Sequence, residues 1–284
     1  MKTGITFYQY TKLYPVEKAA EYLKADGFEA VDFSELWNTA TAYYSDRESE
    51  VEKRLCEIGG ILKQNGIAVS QVHGPWRYPP ADDTMDMRAD WLDKMKRCVR
   101  MATYIGSENM VVHPLMPYGA NSPENPAAVI DINLEHYARL VNYAKDYNIT
   151  VCLENMPFPK LPLGNVDQIV EFVDGLALKN LKICLDTGHA NVCGTPLDMA
   201  VRMIGSRLAC MHVHDNDGTE DQHSAPLSGT ANFVSFARAL SEIGFGGSVS
   251  SEVKFDQSLG KREFRAEAKR VGSILRDIAD NRLK

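Results

Sequence analysis

Apolar residues fall into two kinds of segment along the chain: short runs rich in β-branched residues, and longer segments in which they recur at helical spacing. Val51, Leu55 and Leu62 show the helical spacing, which gives a helix one apolar face. Eight short runs alternate with these longer segments, a pattern typical of βαβ units that build a parallel sheet. The predicted strands cover residues 3–7, 28–33, 67–73, 109–113, 149–154, 181–186, 207–214 and 246–252.

The alternation continues across all 284 residues, of which 44% are hydrophobic, enough to bury one large core. It predicts the α/β class and a single (β/α)8 TIM barrel, with residues 1–284 forming one domain. The longest irregular segments each follow a predicted strand directly; they are residues 74–86, 114–126, 155–165 and 215–230. Loops in this position form the active-site face of such a barrel.

Composition narrows the classes of partner and cofactor. The formal net charge of −7 disfavours nucleic acid, because clustered Lys and Arg supply most of the affinity for a polyanion. No apolar run reaches the roughly 18–20 residues of a membrane span, so we expect no membrane partner and a cytoplasmic location. No glycine-rich phosphate-binding motif is present, so we expect no nucleotide cofactor. The widely spaced cysteines predict free, mostly buried thiols, and the number of subunits stays open, a homo-oligomer included.

Residue types that bind metals recur where the predicted strands end. Carboxylates and imidazoles end or follow strands three to eight: His73, His113, Glu154, Asp186, His212 and Glu252. Others lie close behind them in the sequence: His189, His214, Asp221 and His223. Neutral imidazole nitrogen and carboxylate oxygen suit Zn, Mn, Fe, Co or Mg, and the set contains no thiolate of the kind that structural zinc sites use. The pattern therefore predicts a catalytic divalent metal.

Each of these residues also has an ordinary structural explanation when it is taken singly. A strand histidine is more often a hydrogen-bonded core residue than a ligand, and a strand-end carboxylate often caps the next helix. Their convergence favours a metal, because carboxylates crowded into one low-dielectric mouth repel one another unless a cation balances them. His136 stands apart in a predicted helix, and we expect it to face solvent without a functional role.

The order of these residues resembles that of the xylose isomerase-like TIM barrel superfamily, which contains sugar phosphate isomerases and epimerases and is related to endonuclease IV. The resemblance covers essentially the whole chain. In its sugar enzymes one metal is held by Glu, Asp, His and Glu on strands five to eight, which map onto Glu154, Asp186, His212 and Glu252. His212 is preferred to His214 as the ligand, because residues 211–215 (Met-His-Val-His-Asp) resemble the Met-His-Leu-Asn-Asp segment of the nucleases.

The resemblance implies a metal-dependent isomerase or epimerase acting on a sugar, a sugar phosphate or an inosose. Glu154 and Glu252 would move a carbon-bound proton through a metal-stabilised ene-diolate, or would serve only as ligands. Further metal or substrate contacts would come from His73, His113, His189, His214, Asp221 and His223. Candidates for an apolar wall against the sugar, or for ordinary loop packing, are Trp37, Trp76 and Phe158.

A second interpretation is a multi-zinc phosphodiesterase of the abasic-site type. The endonuclease IV family holds three zinc ions, and this chain has matching residue types at His73, His113, His189, Asp221 and His223. This chain departs from those nucleases in two ways. Residues 4–8, Gly-Ile-Thr-Phe-Tyr, lack the Gly-Ala-His-like opening of the nucleases, and the loops lack the basic and intercalating residues that grip bent DNA. The chain also has Asp and Asn where ketose 3-epimerases place an Arg after the strand seven histidine, so the particular sugar reaction stays open. A third interpretation, a sugar-binding barrel without catalysis, is disfavoured by the intact ligand set.

Overall fold

The computed structural model describes residues 1–76, 84–119 and 125–284. Parts of two predicted loops, residues 77–83 and 120–124, therefore lie outside the described residues. Eight strands follow one another within the described residues: β1 Lys2–Thr6, β2 Ala30–Phe33, β3 Ala68–His73, β4 Asn109–Val112, β5 Thr150–Glu154, β6 Leu181–Asp186, β7 Leu208–His212 and β8 Ser248–Ser251. Every strand begins and ends within two residues of its predicted bounds.

The strands form one parallel sheet that curls into a barrel. Consecutive strands pair from β1 to β7, and β8 pairs with the other edge of β1. The remaining gap is closed just beyond β7, where the Val213 amide donates to the Ser250 carbonyl at 2.8 Å and the Glu252 amide donates to the Val213 carbonyl at 3.3 Å. This arrangement confirms the predicted TIM barrel and brings the carboxyl ends of all eight strands to one face.

Helices connect the strands and cover the outside of the barrel. Those in the described residues are α1 Tyr8–Thr11, α2 Val16–Ala25, α3 Ala42–Ser45, α4 Glu48–Gln64, α5 Met85–Ile105, α6 Pro126–Lys145, α7 Val166–Leu176, α8 Thr187–Val192, α9 Leu197–Ile204, α10 Phe233–Glu242 and α11 Lys261–Ala279. Short 3₁₀ turns occupy Ser34–Trp37 and Gly205–Arg207. The apolar face of α11, with Val271 and Leu275 fully buried, packs on β1 and β8 and shows how the helical spacing in the sequence becomes core.

One buried polar group ties the first and last helices together. Asp26, at the end of α2, is fully buried as a side chain and accepts hydrogen bonds from the Tyr10 hydroxyl at 2.9 Å and from Nε of Arg265 on α11 at 2.9 Å. Because Arg265 is partly exposed, the pair needs little desolvation of the cation. The contact joins α1, the end of α2 and α11.

The prediction that His136 faces solvent is wrong. Its side chain lies on the inner face of α6, only 5% exposed, with Nε2 at 3.2 Å from Sδ of Met95 on α5. Burial lowers the pKa of His136 to about 4, so the ring is neutral at physiological pH.

The structure confirms that the cysteines are free and mostly buried thiols. All six lie in the described residues and are free thiols, and the buried ones are Cys98, Cys152, Cys184 and Cys210.

Among the described helices, none combines the length and the apolar character that crossing a bilayer demands.

Candidate metal centre at the strand ends

Three neighbouring strands end in residues of the predicted centre. Glu154 ends β5, Asp186 ends β6 and His212 ends β7, while Glu252 directly follows β8. Asp186 and His212 are direct partners in the β6–β7 register. Glu154, Asp186 and His212 are at most 1% exposed, and the Glu252 side chain is 26% exposed. The barrel therefore brings the four predicted ligands together at one end of its interior.

Glu154 lies at the middle of this group. Its Oε1 atom is 2.8 Å from Nδ1 of His212, and its Oε2 atom is 3.1 Å from Nε2 of His113. Burial alone would raise the pKa of the carboxyl, but the charges and hydrogen bonds of the His212 and His113 rings hold it well below its usual range. Glu154 is therefore an ionised carboxylate at neutral pH, able to bind a cation or to accept a proton.

A residue that the sequence analysis missed holds His212 from behind. Asp32, in β2, is 1% exposed, and its Oδ2 atom lies 2.9 Å from Nε2 of His212 and accepts from Nε2 of Gln71 at 3.1 Å. With Nε2–H donating to Asp32, the Nδ1 atom of His212 faces Glu154, Asp186 and Glu252. A carboxylate on the far nitrogen of a metal-binding histidine fixes its tautomer and its orientation.

Asp186 connects the centre to a second group of histidines. Its Oδ1 atom accepts from the His189 amide at 2.7 Å and so caps α8, while its Oδ2 atom is 2.9 Å from Nε2 of His214. Burial would lower the pKa of His189, but Asp186, Asp221 and Glu154 raise it to about 10. The Oδ2 atom of Asp221 lies 2.9 Å from Nε2 of His223. The buried Oδ1 atom of Asp221 has no hydrogen-bond partner among the described residues.

The two histidines of strands three and four form a third group beside Glu154. Nε2 of His73 lies 3.2 Å from Nε2 of His113 and 3.6 Å from Oε2 of Glu154. The other ring nitrogen of His73 lies 2.9 Å from the Gly74 carbonyl, which leaves Nε2 to face the centre. All the candidate metal or substrate contacts predicted from the sequence are thus in or beside one connected cluster.

The donor set fits a divalent cation. One ligand atom from each of Glu154, Asp186, His212 and Glu252 lies within 4.8 Å of the others, and all are carboxylate oxygen or imidazole nitrogen. Smaller groups of the same donor types combine His73 and His113 with Glu154, and His214 with Asp221 and His223. The unpartnered Asp221 oxygen is a further observation in favour, since a buried carboxylate oxygen without a donor is costly unless a cation is near.

A thiol also lies against the centre, which the sequence analysis did not include. Sγ of Cys184 is within 4.8 Å of ligand atoms of Glu154 and His212. Cys184 lies two residues before Asp186 on β6, so both side chains point into the barrel. Burial raises the pKa of Cys184 well above its usual value, which favours the neutral thiol.

A pocket of about 600 Å³ opens directly above the centre. Glu154 and Glu252 form part of its floor, and the three predicted wall residues, Trp37, Trp76 and Phe158, all line it. The two indole rings meet edge to face with centroids 5.6 Å apart. A volume of this size accommodates a small molecule, with apolar surface on one side and ionised oxygens on the other.

These features define a class: an α/β barrel with a carboxylate- and imidazole-lined centre beneath a small-molecule pocket. Residues 18–274 match the family model described as the xylose isomerase-like TIM barrel. The chain belongs to this family, as its sequence resemblance predicted.

Curated relatives in this family include proteins of known and of unknown activity. An uncharacterised protein of Methanocaldococcus jannaschii is 33% identical over 188 residues, which cover 64% of this chain and 64% of that protein, less than two thirds of its length. A D-psicose 3-epimerase of Ruminiclostridium cellulolyticum is 26% identical over 246 residues, 84% of this chain and 77% of the enzyme. A probable endonuclease 4 of Ureaplasma parvum is 28% identical over 149 residues, 50% of this chain and 46% of that protein.

Solved structures share the whole barrel. The crystal structure of a D-psicose 3-epimerase in the presence of D-fructose superposes with a TM-score of 0.78 at 19% identity, covering 98% of this chain and 99% of that chain. The IolI protein with a bound zinc atom superposes with a TM-score of 0.78 at 15% identity, covering all of both chains. At these identities the likeness shows the fold alone.

Proposed function

We propose that this chain is a metal-dependent isomerase or epimerase of a sugar or a sugar derivative. The observation that carries the proposal is the convergence of Glu154, Asp186, His212 and Glu252 on one point at the floor of a small-molecule pocket. Sugar epimerases among the relatives support the substrate class. Zn, Mn, Co, Fe and Mg all suit the donor set, and the proposal does not choose among them.

Each of the four residues would help to hold the cation. Glu154, Asp186, His212 and Glu252 would bind the cation, with Asp32 orienting His212 from behind. The cation would supply positive charge against which a sugar carbonyl and its neighbouring hydroxyl become polarised. The indole rings of Trp37 and Trp76 would cover the carbon faces of the sugar and exclude water.

Two carboxylates would move the proton under this proposal. Glu154 and Glu252 both line the pocket and come from strand ends that are not neighbours in the barrel, so they reach a bound sugar from different directions. One, as the ionised carboxylate, would remove the carbon-bound proton. The other, starting as the protonated acid, would give its proton to the opposite face, which epimerises the carbon and exchanges the two protonation states. Return to the adjacent carbon instead gives isomerisation.

The test is turnover of a panel of ketoses and inososes in D₂O, followed by ¹H NMR of the carbon-bound protons. We expect the metal-loaded wild type to convert at least one sugar, and Glu154→Gln and Glu252→Gln to lose turnover with an unchanged circular dichroism spectrum. Glu220→Gln, an exposed glutamate in the loop after β7, is the matched control and should stay active. Near wild-type turnover in either pocket variant would show that the two-glutamate mechanism is wrong.

A second candidate function is a multi-zinc phosphodiesterase, and a specific observation favours it. The cluster extends beyond Glu154 and Asp186 into three further groups of imidazoles and carboxylates, and within each group the donor atoms lie within 4.8 Å of one another. Such groups would hold additional zinc ions that activate water against a phosphodiester. Cleavage of a duplex carrying one abasic site, with no conversion of any sugar in the panel, would establish this function instead.

A further inference from the structure

Two lysines line the pocket in the connections that follow β1 and β8. Lys12 follows α1, in the connection after β1, and Lys254 lies in the connection after β8. Because β8 pairs with β1, these two connections are neighbours at the mouth of the barrel. The carboxylates that line the same pocket are Glu154, Asp221 and Glu252, all of them residues of the centre.

Lys12 is held in place by a neutral partner. Its Nζ donates to Oε1 of Gln9 at 2.7 Å, and Nε2 of Gln9 donates to the Val253 carbonyl at 3.2 Å, next to Lys254. Gln9 therefore connects the two lysine-bearing loops. The Lys254 backbone is fixed as well, since its amide donates to the His223 carbonyl at 3.0 Å.

Neither ammonium group is neutralised within the described residues, where no carboxylate lies within ion-pairing distance of Lys12 or Lys254. Burial lowers the pKa of Lys12, and no acidic group opposes that shift. Within the described residues, Lys18, Lys94, Lys96 and Lys269 do pair with a carboxylate. Two uncompensated cations beside one pocket favour an anion as the missing partner.

The position of Lys254 sets the distance between that anion and the reacting carbons. Lys254 is two residues beyond Glu252, so their Cα atoms are at most about 7 Å apart. If the carbonyl end of a sugar lies at Glu252, the opposite end, a few carbon atoms away, would lie near the two lysines. This spacing suits an open-chain or ring sugar with its charge at the end remote from the carbonyl.

We propose that Lys12 and Lys254 form an anion subsite, and that the substrate is a sugar carrying a terminal phosphate or carboxylate. The inference rests on the proposed function, because it names the substrate class of the same pocket. Lys12 and Lys254 act here as specificity residues that bind the charged end of the sugar. Gln9 is a positioning residue that acts through Lys12.

The test compares charged and neutral probes by calorimetric titration of the metal-loaded protein. The probes are D-fructose 6-phosphate against D-fructose, and D-glucuronate against D-glucose. We expect one charged probe to bind about tenfold or more tightly than its neutral partner, and the pair that shows the gain identifies phosphate or carboxylate. Lys12→Gln and Lys254→Gln should each remove about tenfold of that gain and leave binding of the neutral probe unchanged. Lys145→Gln, exposed at the end of α6, is the matched control and should keep the full gain.

Two results would overturn the subsite. Equal binding of charged and neutral probes by the wild type would do so, and so would a gain that both lysine variants retain, since the anion would then bind the cation itself. Failure of the subsite and failure of the proposed function give different results. A lysine-dependent gain without turnover of any sugar would keep the subsite and reject the isomerase, whereas turnover with KM unchanged in both variants would keep the isomerase and reject the subsite.

Discussion

Replacing Asp32 with asparagine tests whether the barrel prepares His212 for a metal. The carboxylate is buried, accepts from His212 at 2.9 Å and from Gln71 at 3.1 Å, and has one oxygen without a partner. Asparagine keeps the shape and one acceptor oxygen but removes the negative charge. Outer carboxylates of this kind contribute about 10- to 100-fold to metal affinity. That range corresponds to about 1.4–2.8 kcal/mol.

The assay is competition between the protein and a chelator of known affinity, with the metal followed by mass spectrometry. We expect Asp32→Asn to weaken binding about 10- to 100-fold, while Asp90→Asn, a surface carboxylate paired with Lys94, leaves it unchanged. Nitrogen-15 NMR of labelled histidine should also show that the wild-type His212 ring carries its proton on Nε2. Wild-type affinity in Asp32→Asn would refute the orienting role of this carboxylate.

Three further predictions concern other parts of the molecule. Because His136 has a pKa of about 4 in the folded protein and about 6.5 unfolded, the unfolded chain takes up its proton first as pH falls. The free energy of unfolding of the wild type, measured in urea, should therefore fall by about 2 kcal/mol more between pH 7.5 and pH 5 than that of His136→Leu. Equal losses in the two proteins would show that burial does not lower the pKa of His136. A Cβ atom on Gly188 would overlap the His214 ring, so Gly188→Ala should displace that ring and weaken metal binding at least several-fold, measured with the same chelator. Asp26→Ala leaves the buried Tyr10 hydroxyl without its acceptor and should destabilise the protein by about 1–3 kcal/mol in thermal or urea unfolding, whereas an unchanged stability would show that the contact contributes little.

The barrel was predictable because its signals are local and repeated. Each β-branched run is short, each helical segment carries its own apolar spacing, and alternation of the two leaves few topologies. The strand bounds followed to within two residues. The assignment of residues 1–284 to one domain stays a prediction, as do the metal and catalytic roles of the individual side chains.

The residues at the centre were partly predictable, for a reason that lies in the fold. Parallel strands that end in Glu154, Asp186 and His212 meet at one face, so the last residue of each strand was enough to find them. Asp32 was missed because it lies one residue before the end of β2, although a carboxylate in an otherwise apolar strand (Ala30–Phe33) was a usable signal. Cys184 was missed in the same way, since strand periodicity places it on the same side as Asp186.

The error at His136 has a similar origin. A lone histidine in a helix gives no chemical signal, and its exposure depends on which face the helix packs. Its helical neighbours Ile132 and Leu140 are apolar, which places the position at the edge of the buried face. The helical spacing of these apolar neighbours predicts that the His136 side chain is buried, whereas the residue type alone gives no such prediction.

The most direct test of the account is the metal content of the purified protein, counted per chain by mass spectrometry before and after brief chelation. We expect about one labile divalent ion per chain. Asp186→Asn should lose this ion, and Asp90→Asn, at an exposed position, should retain it. Absence of any ion after incubation with Zn, Mn, Co, Fe or Mg would contradict the metal centre, and close to three chelation-resistant zinc ions would contradict the isomerase in favour of the phosphodiesterase.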